Sequence, residues 1–362
     1  MQMSITEKTR IAVLFGGANS DNYRSCEQLK DVVPALLSRD FDVEAFGITL
    51  EGMWVSFSNL DATVKATSTS AFELSNESAS KITGSSTSSF PPQEFISFNA
   101  VYPLIIGFPG ADGSLAGLFE ALGIRVIGSD SLGSAIASDK STLKLLLEAV
   151  EIATPKHVVI PDKAWRRDAL SHVARAASLK LPIVVKPCRG TNGVGITLVK
   201  NPIVMKDAVA IARRFDGRFL AEEYYKKARH LECAVLGDSE NRNYISAILE
   251  TTTSEGDLFN YITRTDASKF SQKIVTDLPD DVTELIKETA EKVFEAAKIS
   301  GYLQVEFLLT DEGQVLVLEA NAHPYIGRDG SFAKVWLAAG LEYEDVLYAA
   351  VMEALRRPVG MI

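Results

Sequence analysis

The chain is poor in the residues that build metal cages and covalent staples: its 362 residues include three cysteines and four histidines. Cys26, Cys188 and Cys233 are scattered and odd in number, and neither a C-x-x-C nor an H-x-x-x-H pair occurs. A disulfide framework is excluded and a dedicated zinc site is not expected. Long apolar runs are lacking too, none approaching the ~18 to 20 residues that span a bilayer, so no membrane partner is expected. Positive charge is also scarce. The formal net charge is -10, whereas a protein that grips a nucleic-acid backbone needs a basic face to displace counterions. Any phosphate bound here must be held by a few placed cations. No charged-then-apolar leader precedes Lys8, which together with the sparse cysteines points to the cytoplasm. No repeat of fixed period is found. Against these absences, 46% of residues are hydrophobic and 23% charged, and the length exceeds the ~100 to 200 residues of one domain, so two or three packed units are expected.

Ile11 to Phe15 is a short apolar run ending in Gly16-Gly17, and Ser20 to Ser38 has helical spacing of Cys26, Leu29, Val33 and Leu36/Leu37. Val43 to Ile48 and Ala100 to Ile106 read as further strands, so the first third reads as an open parallel sheet with crossover helices. Between them, Thr67 to Pro92 is dominated by Ser, Thr, Ala and Asn and is expected to be a mobile surface insertion. Gly113 to Leu122 reads as a helix, Arg125 to Ile127 as a strand, and Ser131 to Ala149 as one amphipathic helix near the start of a new unit. Later strands are read at Leu181 to Pro187, Gly195 to Val199, Phe219 to Tyr225 and Leu231 to Leu236. Helices are read at Thr283 to Ala297 and Glu344 to Arg356.

The last hairpin carries the sharpest chemical signal. Leu303 to Leu309 pairs with Gln314 to Ala320 across Thr310-Asp311-Glu312-Gly313. With Glu312-Gly313 as a two-residue turn, residues whose numbers sum to 625 face each other, so Glu306 opposes Glu319 and Gln304 opposes Asn321. The period of 2 puts all four on one face. Opposed carboxylates repel unless a cation lies between them. Carboxylates plus an amide suit hard Mg2+; the alternative is a solvated face with one Glu turned outward. A register slip of one residue would abolish the argument.

A second signal is Lys186-Pro-Cys-Arg-Gly-Thr-Asn-Gly-Val-Gly195 between two strands. Its glycines let the backbone approach phosphate oxygens, with Lys186 as a fixed cation; an ordinary glycine-rich hairpin loop is the alternative. It fits neither the P-loop nor the dinucleotide pattern, and the glycines after the first strand lack the spacing of a nicotinamide enzyme. Asp139-Lys140 lies inside the Ser131 to Ala149 helix, where a lysine usually faces solvent.

Together these stretches resemble the D-alanine-D-alanine ligase family of ATP-grasp enzymes. The likeness is carried by Val13 to Gly17, Gly107 to Gly117, Leu122 to Ser129, Ser138 to Lys140, Lys186 to Ile196, Glu222 to Leu236 and Glu319 to Pro324. It implies an α/β chain with an N-terminal Rossmann-like parallel-sheet domain (1–130), a central ATP-grasp subdomain with the glycine-rich loop (131–215) and a C-terminal one with the metal hairpin (216–362). It also implies that ATP lies against Glu222, Glu223 and Tyr225, with His230 or Glu232 at the ribose, Lys140 and Lys186 on phosphates, and Asn192-Gly193 where the family's loop has a serine pair. Two Mg2+, for which Mn2+ substitutes, would be held by Glu306, Glu319 and Asn321. Asp21, Arg24, Ser25, Tyr325 and Arg328 would meet the two amino acids. Asp21, Gln304 and Arg264 would serve catalysis, Arg264 from a covering loop around Asn260 to Ser271 where the family has lysine.

The resemblance breaks in the amino-acid site: Asp21 stands for a glutamate, Ile106 for a histidine, Ala111 for a glutamate, Gln304 for an arginine, Tyr325 for a glycine and Arg328 for a serine. The expected activity is therefore ATP-dependent ligation of two small amino acids through an acyl phosphate, in specialised metabolism and by a homodimer. D-alanine-D-alanine ligase proper, another ATP-grasp chemistry such as ring closure, and a non-catalytic nucleotide-binding protein are the alternatives.

Overall fold

The structure, a computed structural model, describes residues 8–69, 71–237, 243–253, 258, 263, 266 and 268–358. Three sheets carry it. The first joins β1 (Arg10–Gly16), β2 (Asp42–Ile48), β3 (Trp54–Phe57), β4 (Ser85–Ser88), β5 (Ala100–Pro103) and β6 (Arg125–Val126) in the order β4-β3-β2-β1-β5-β6. The β2-β1-β5-β6 half is parallel, and its central strands β1 and β5 are apolar and buried along almost their whole length. β3 and β4 add an antiparallel edge.

That edge corrects the reading of Thr67 to Pro92 as a mobile insertion. β4 and a short helix, Asn76–Ser80, lie within it, and Leu74, Ala79 and Ile82 are buried. Leu74 sits over Gly47, where an added Cβ would meet its Cδ2 at 2.3 Å. The Leu74 N–H donates to Asn22 Oδ1 at 2.7 Å, and Asn22 Nδ2 donates to the Gly17 carbonyl, also at 2.7 Å. A mean composition rich in Ser and Thr conceals three apolar anchors and a buried amide that pins the backbone, and these suffice to order it.

The second sheet has the order β7-β10-β8-β9, all antiparallel: β7 (His157–Pro161), β8 (Ile183–Pro187), β9 (Thr197–Val199) and β10 (Arg218–Glu223). The third runs β14-β13-β11-β15-β16 with β12 also on β11: β11 (Arg229–Gly237), β12 (Asn243–Ile245), β13 (Leu249–Thr253), β14 (Phe270–Ile274), β15 (Tyr302–Leu309) and β16 (Val315–Asn321). Helix Asp280–Ala296 covers it with Ile286, Ala290, Val293 and Phe294, a helical stripe whose large members each stabilise by roughly 1.5 to 3 kcal/mol on burial. Helix Tyr343–Arg356 packs on Leu29–Ser38 and on β11, joining the first and third sheets through one core. No helix among the described residues is long and apolar enough to cross a membrane.

Two readings of helices change. Ser20 to Ser38 is two helices, Asn22–Glu27 and Leu29–Ser38. Ser131 to Ala149 is also two, because Asp139 leaves the helical conformation and caps the second, accepting from the Thr142 N–H at 3.0 Å. Lys140 is thus the first residue of helix Lys140–Ala149 and not an interior one.

Candidate active site

The hairpin β15–β16 reaches the expected pairing by another route. Its connection has three residues, Asp311-Glu312-Gly313: the Thr310 N–H donates to the Gln314 carbonyl at 2.9 Å and Gly313 takes φ +81°. Near the turn, Phe307 therefore faces Val317 and Leu309 faces Val315, one residue off the register of a two-residue turn. A β-bulge at Leu318 restores it, so Glu306 does face Glu319 and Gln304 does face Asn321. Without the bulge, Glu319 would oppose Val305 and point into the core. The core side of β16 bears the mark of this: Val315, Val317, Ala320 and Ala322 are spaced by two, three and two.

Around Glu319 a buried ionic cluster gathers. Lys186 Nζ, at the end of β8, lies 2.6 Å from Glu222 Oε1 on β10 and 3.3 Å from Glu319 Oε1. Lys144 Nζ lies 3.1 Å from Glu222 Oε2, and Lys140 Nζ lies 3.5 Å from Glu319 Oε2 and donates to the Gly190 carbonyl at 3.0 Å. Burial disfavours charge on Lys186, but Glu222 and Glu319 outweigh it and hold its pKa above the usual lysine value. For Lys144 burial wins and its pKa falls. Burial also opposes the Glu222 charge, and the two lysines overcome it, so this carboxyl titrates below its ordinary range. Lys144 was not read from the sequence, although its spacing of four from Lys140 puts both on one helical face.

Two hollows meet at this cluster. The larger, ≈ 470 Å³, is walled by Arg24, the glycine loop at Gly190 to Val194, Asp112, Asn321, His323 and Tyr325. The smaller, ≈ 50 Å³, is lined by Val184, Lys186, Glu222, Glu223, Tyr225 and His230, with Leu308 and Leu318 as its floor. Glu306, Glu319 and Gly193 border both. The donor set of Glu306, Glu319 and the Asn321 amide is all oxygen on one sheet face, which fits a hard divalent cation; the two carboxylates stand as a pair, and no group of three or more His, Cys, Asp or Glu that could hold a metal ion occurs among the described residues.

The structure brings together Lys140, Lys186, Glu222, Glu319, Glu306, Asn321, Asn192 and Gly193. Asn192 Nδ2 donates to Asp21 Oδ1 at 2.5 Å and Arg24 donates to Asn192 Oδ1 at 3.4 Å, so the first sheet's loops touch the glycine loop. Burial raises the Asp21 pKa over the opposing effects of Arg24 and Asn192. The Arg24 guanidinium lies 4.9 Å from the Tyr325 ring centre.

Other expected residues are placed elsewhere. Gln304 and Glu232 line neither hollow: Gln304 donates to Glu232 and, at 2.9 Å, to Ser331 Oγ, while Thr251 Oγ1 donates to Glu232 Oε1 at 3.2 Å. An amide and a carboxylate buried side by side on β15 and β11 satisfy each other. Ser25 is fully buried; its Oγ accepts from Gly16 N and donates to the Leu104 carbonyl, clamping β1 to the end of β5. Arg328 lies outside both hollows, paired with Glu344 and stacked 4.3 Å over Tyr343. Arg264 lies outside the described residues. His323, unmarked in the sequence, is buried with neither ring nitrogen hydrogen-bonded, and burial lowers its pKa to about 4.

Comparison with known proteins agrees with this architecture. The D-ala D-ala ligase N-terminus model matches residues 10–129 and the D-ala D-ala ligase C-terminus model matches residues 146–352. The D-alanine-D-alanine ligase of Mycobacterium sp. (strain JLS) is 31% identical over 98% of this chain and 98% of its own. That of Paenarthrobacter aurescens (strain TC1) is 28% identical over 99% and 98%. The structure superimposes on the D-alanine-D-alanine ligase from Coxiella burnetii with TM-score 0.82, covering 97% of this chain and 94% of that one at 24% identity. For VanG D-Ala:D-Ser ligase from Enterococcus faecalis the TM-score is 0.81, with 95% and 99% covered, also at 24% identity. The fold is the ATP-grasp fold, and the chain belongs to the D-alanine-D-alanine ligase family of ATP-dependent carbon-nitrogen ligases.

Proposed function

We propose that the protein joins D-alanine to a second small amino acid through an acyl phosphate, releasing ADP and phosphate. The observation that carries this is the meeting of the two hollows at Glu306, Glu319 and Gly193, with Lys140 and Lys186 on Glu319. The smaller hollow takes the adenine against Glu222 to Tyr225, and the terminal phosphate then falls at the junction. There a carboxylate from the larger hollow attacks it in line. Lys140 and Lys186 neutralise charge that grows on the transferring group. A substrate ammonium beside Asp21 would offset the burial that raises the pKa of this carboxyl. The glycine loop, tied to Lys140 through Gly190 and to Asp21 through Asn192, keeps water from the acyl phosphate. Magnesium, when held by Glu306, Glu319 and Asn321, supplies Lewis-acid polarisation of phosphate oxygens.

The relatives' names make D-alanine the first acceptor to try as well as the donor. A different acceptor, as in specialised metabolism, is favoured by one feature: the ring of Tyr325 fills the space over Gly327 and Gly330, where an added Cβ would meet it at 2.5 and 2.7 Å. The test is amino-acid-dependent phosphate release over pairs of D- and L-amino acids, with product mass. Release with D-alanine alone supports ligation of two D-alanines; release only when a second amino acid is added supports the other acceptor. No release with any pair refutes both. Light scattering tests the companion proposal of a homodimer, which a monomer would remove.

A further inference from the structure

Three Lys or Arg side chains stand in the wall of the larger hollow: Arg24, Lys140 and Arg189. Two are already answered by carboxylates, Lys140 lying 3.5 Å from Glu319 Oε2 and Arg189 lying 3.4 Å from Asp216 Oδ2. Arg24 differs. It is half-buried and forms no ion pair among the described residues, and there its guanidinium reaches a single protein acceptor, Asn192 Oδ1 at 3.4 Å. It is nevertheless held in place. The guanidinium lies 4.9 Å from the centre of the Tyr325 ring, whose hydroxyl donates to Asp329 Oδ1 at 3.0 Å and whose atoms abut Gly327 and Gly330. A cation fixed over an aromatic face with most of its donors unspent is organised to take an anion from the hollow.

Amide formation leaves one substrate carboxylate unreacted, that of the amino acid whose amine attacks. Enclosed without a cation, it would lose its solvation with nothing in return. Few groups can answer it. Lys140 and Lys186 are engaged by Glu319 and, in the proposed chemistry, by phosphate. Arg328, which the resemblance places in the amino-acid site, lies outside both hollows on Glu344. We infer that Arg24 is a specificity-determining residue that binds the α-carboxylate of the acceptor amino acid. Its planar fork matches a carboxylate by two charge-assisted hydrogen bonds, so the protein selects acceptors with a free carboxylate over their amides. The inference rests on the ligase reading for the identity of the ligand and on the ring-backed guanidinium without an ion pair for the contact.

The experiment is a competition in which D-alanine and D-alaninamide are supplied together with ATP. The amide has no carboxylate to phosphorylate and can serve only as acceptor, so the ratio of dipeptide to dipeptide amide, read by mass spectrometry, measures what the acceptor carboxylate contributes. Parent, Arg24→Met and Arg24→Lys are compared, and the intrinsic reactivity of the two amines cancels between them. The ratio is expected to fall by roughly 10- to 100-fold in Arg24→Met, as for a lost hydrogen bond between charged groups, with KM for ATP unchanged. Arg24→Lys should keep part of it. An equal ratio in parent and Arg24→Met overturns the inference. Where either protein makes no dipeptide, calorimetric titration of D-alanine and D-alaninamide into the ADP-loaded proteins decides without turnover. A preference for the free acid that is lost in Arg24→Met sustains Arg24 even if the ligase reading fails, and equal binding, or none, rejects it.

Discussion

Replacing Lys144 by Met removes an ammonium that is 1% exposed and lies 3.1 Å from Glu222 Oε2, while roughly keeping the side-chain volume. Breaking a buried pair from one side typically costs ~3 to 5 kcal/mol. Here Glu222 keeps Lys186 at 2.6 Å on its other oxygen, and the repulsion between Lys144 and Lys186 disappears. The expected loss is therefore smaller, about 2 to 3 kcal/mol at pH 7, close to that of one orphaned charged acceptor. The sign with pH follows from Glu222, whose folded pKa lies below the ordinary 4.5. Its contribution is complete above that value and is lost as pH falls through the depressed folded pKa, so the difference between parent and variant should shrink below pH ~4.5 and vanish only below that depressed pKa. Urea unfolding at pH 7 and at acid pH measures this, and a double-mutant cycle with Glu222→Gln isolates the pair. Because Glu222 lines the smaller hollow, KM for ATP should rise as well. A loss under 0.5 kcal/mol, or one that does not change with pH, would refute the reasoning.

Three further outcomes are expected. Glu319→Gln should abolish ADP formation with an unchanged circular dichroism spectrum, and normal turnover with Mg2+ would show that the hairpin carboxylates hold no required metal. Arg328→Ala should leave both amino-acid KM values within about twofold and cost at most about 1 kcal/mol, because its partner Glu344 lies at the surface, away from the hollows; a selective rise in one KM would return it to the site. Gly47→Ala should cost about 1 to 3 kcal/mol by pressing its Cβ on Leu74, and Leu74→Ala in the same chain should recover part of that; additive losses would count against the contact.

Much of the site was legible because its chemistry is written in short segments. Opposed glutamates on a hairpin and a lysine ending a strand before a glycine loop each belong to one short segment, whereas the cap at Asp139 was not legible and Lys140 read as a helix-interior residue. Partners brought from distant strands were not legible. Gln304 and Glu232 lie 72 residues apart, and their mutual hydrogen bond removes both from the hollows. The resemblance puts Arg328 in the amino-acid site where the family has a serine, but the turn from Gly327 to Gly330 gives its guanidinium to Glu344 and Tyr343.

The sequence by itself determined the class of molecule: a parallel apolar sheet at the start, antiparallel hairpins at the end, and opposed carboxylates with placed lysines in an acidic chain. Alternation, helical period and glycine placement act over a few residues and need no knowledge of the rest. The tertiary structure decided three things. It set the bulge at Leu318 that turns Glu319 from the core toward the site. It gave the Ser- and Thr-rich segment its order through Leu74, Ala79 and Ile82. It left both ring nitrogens of His323 buried without a hydrogen-bond partner. Each depends on which atoms lie on the far side of a residue, and local pattern carries no information about what distant parts of the chain bring there.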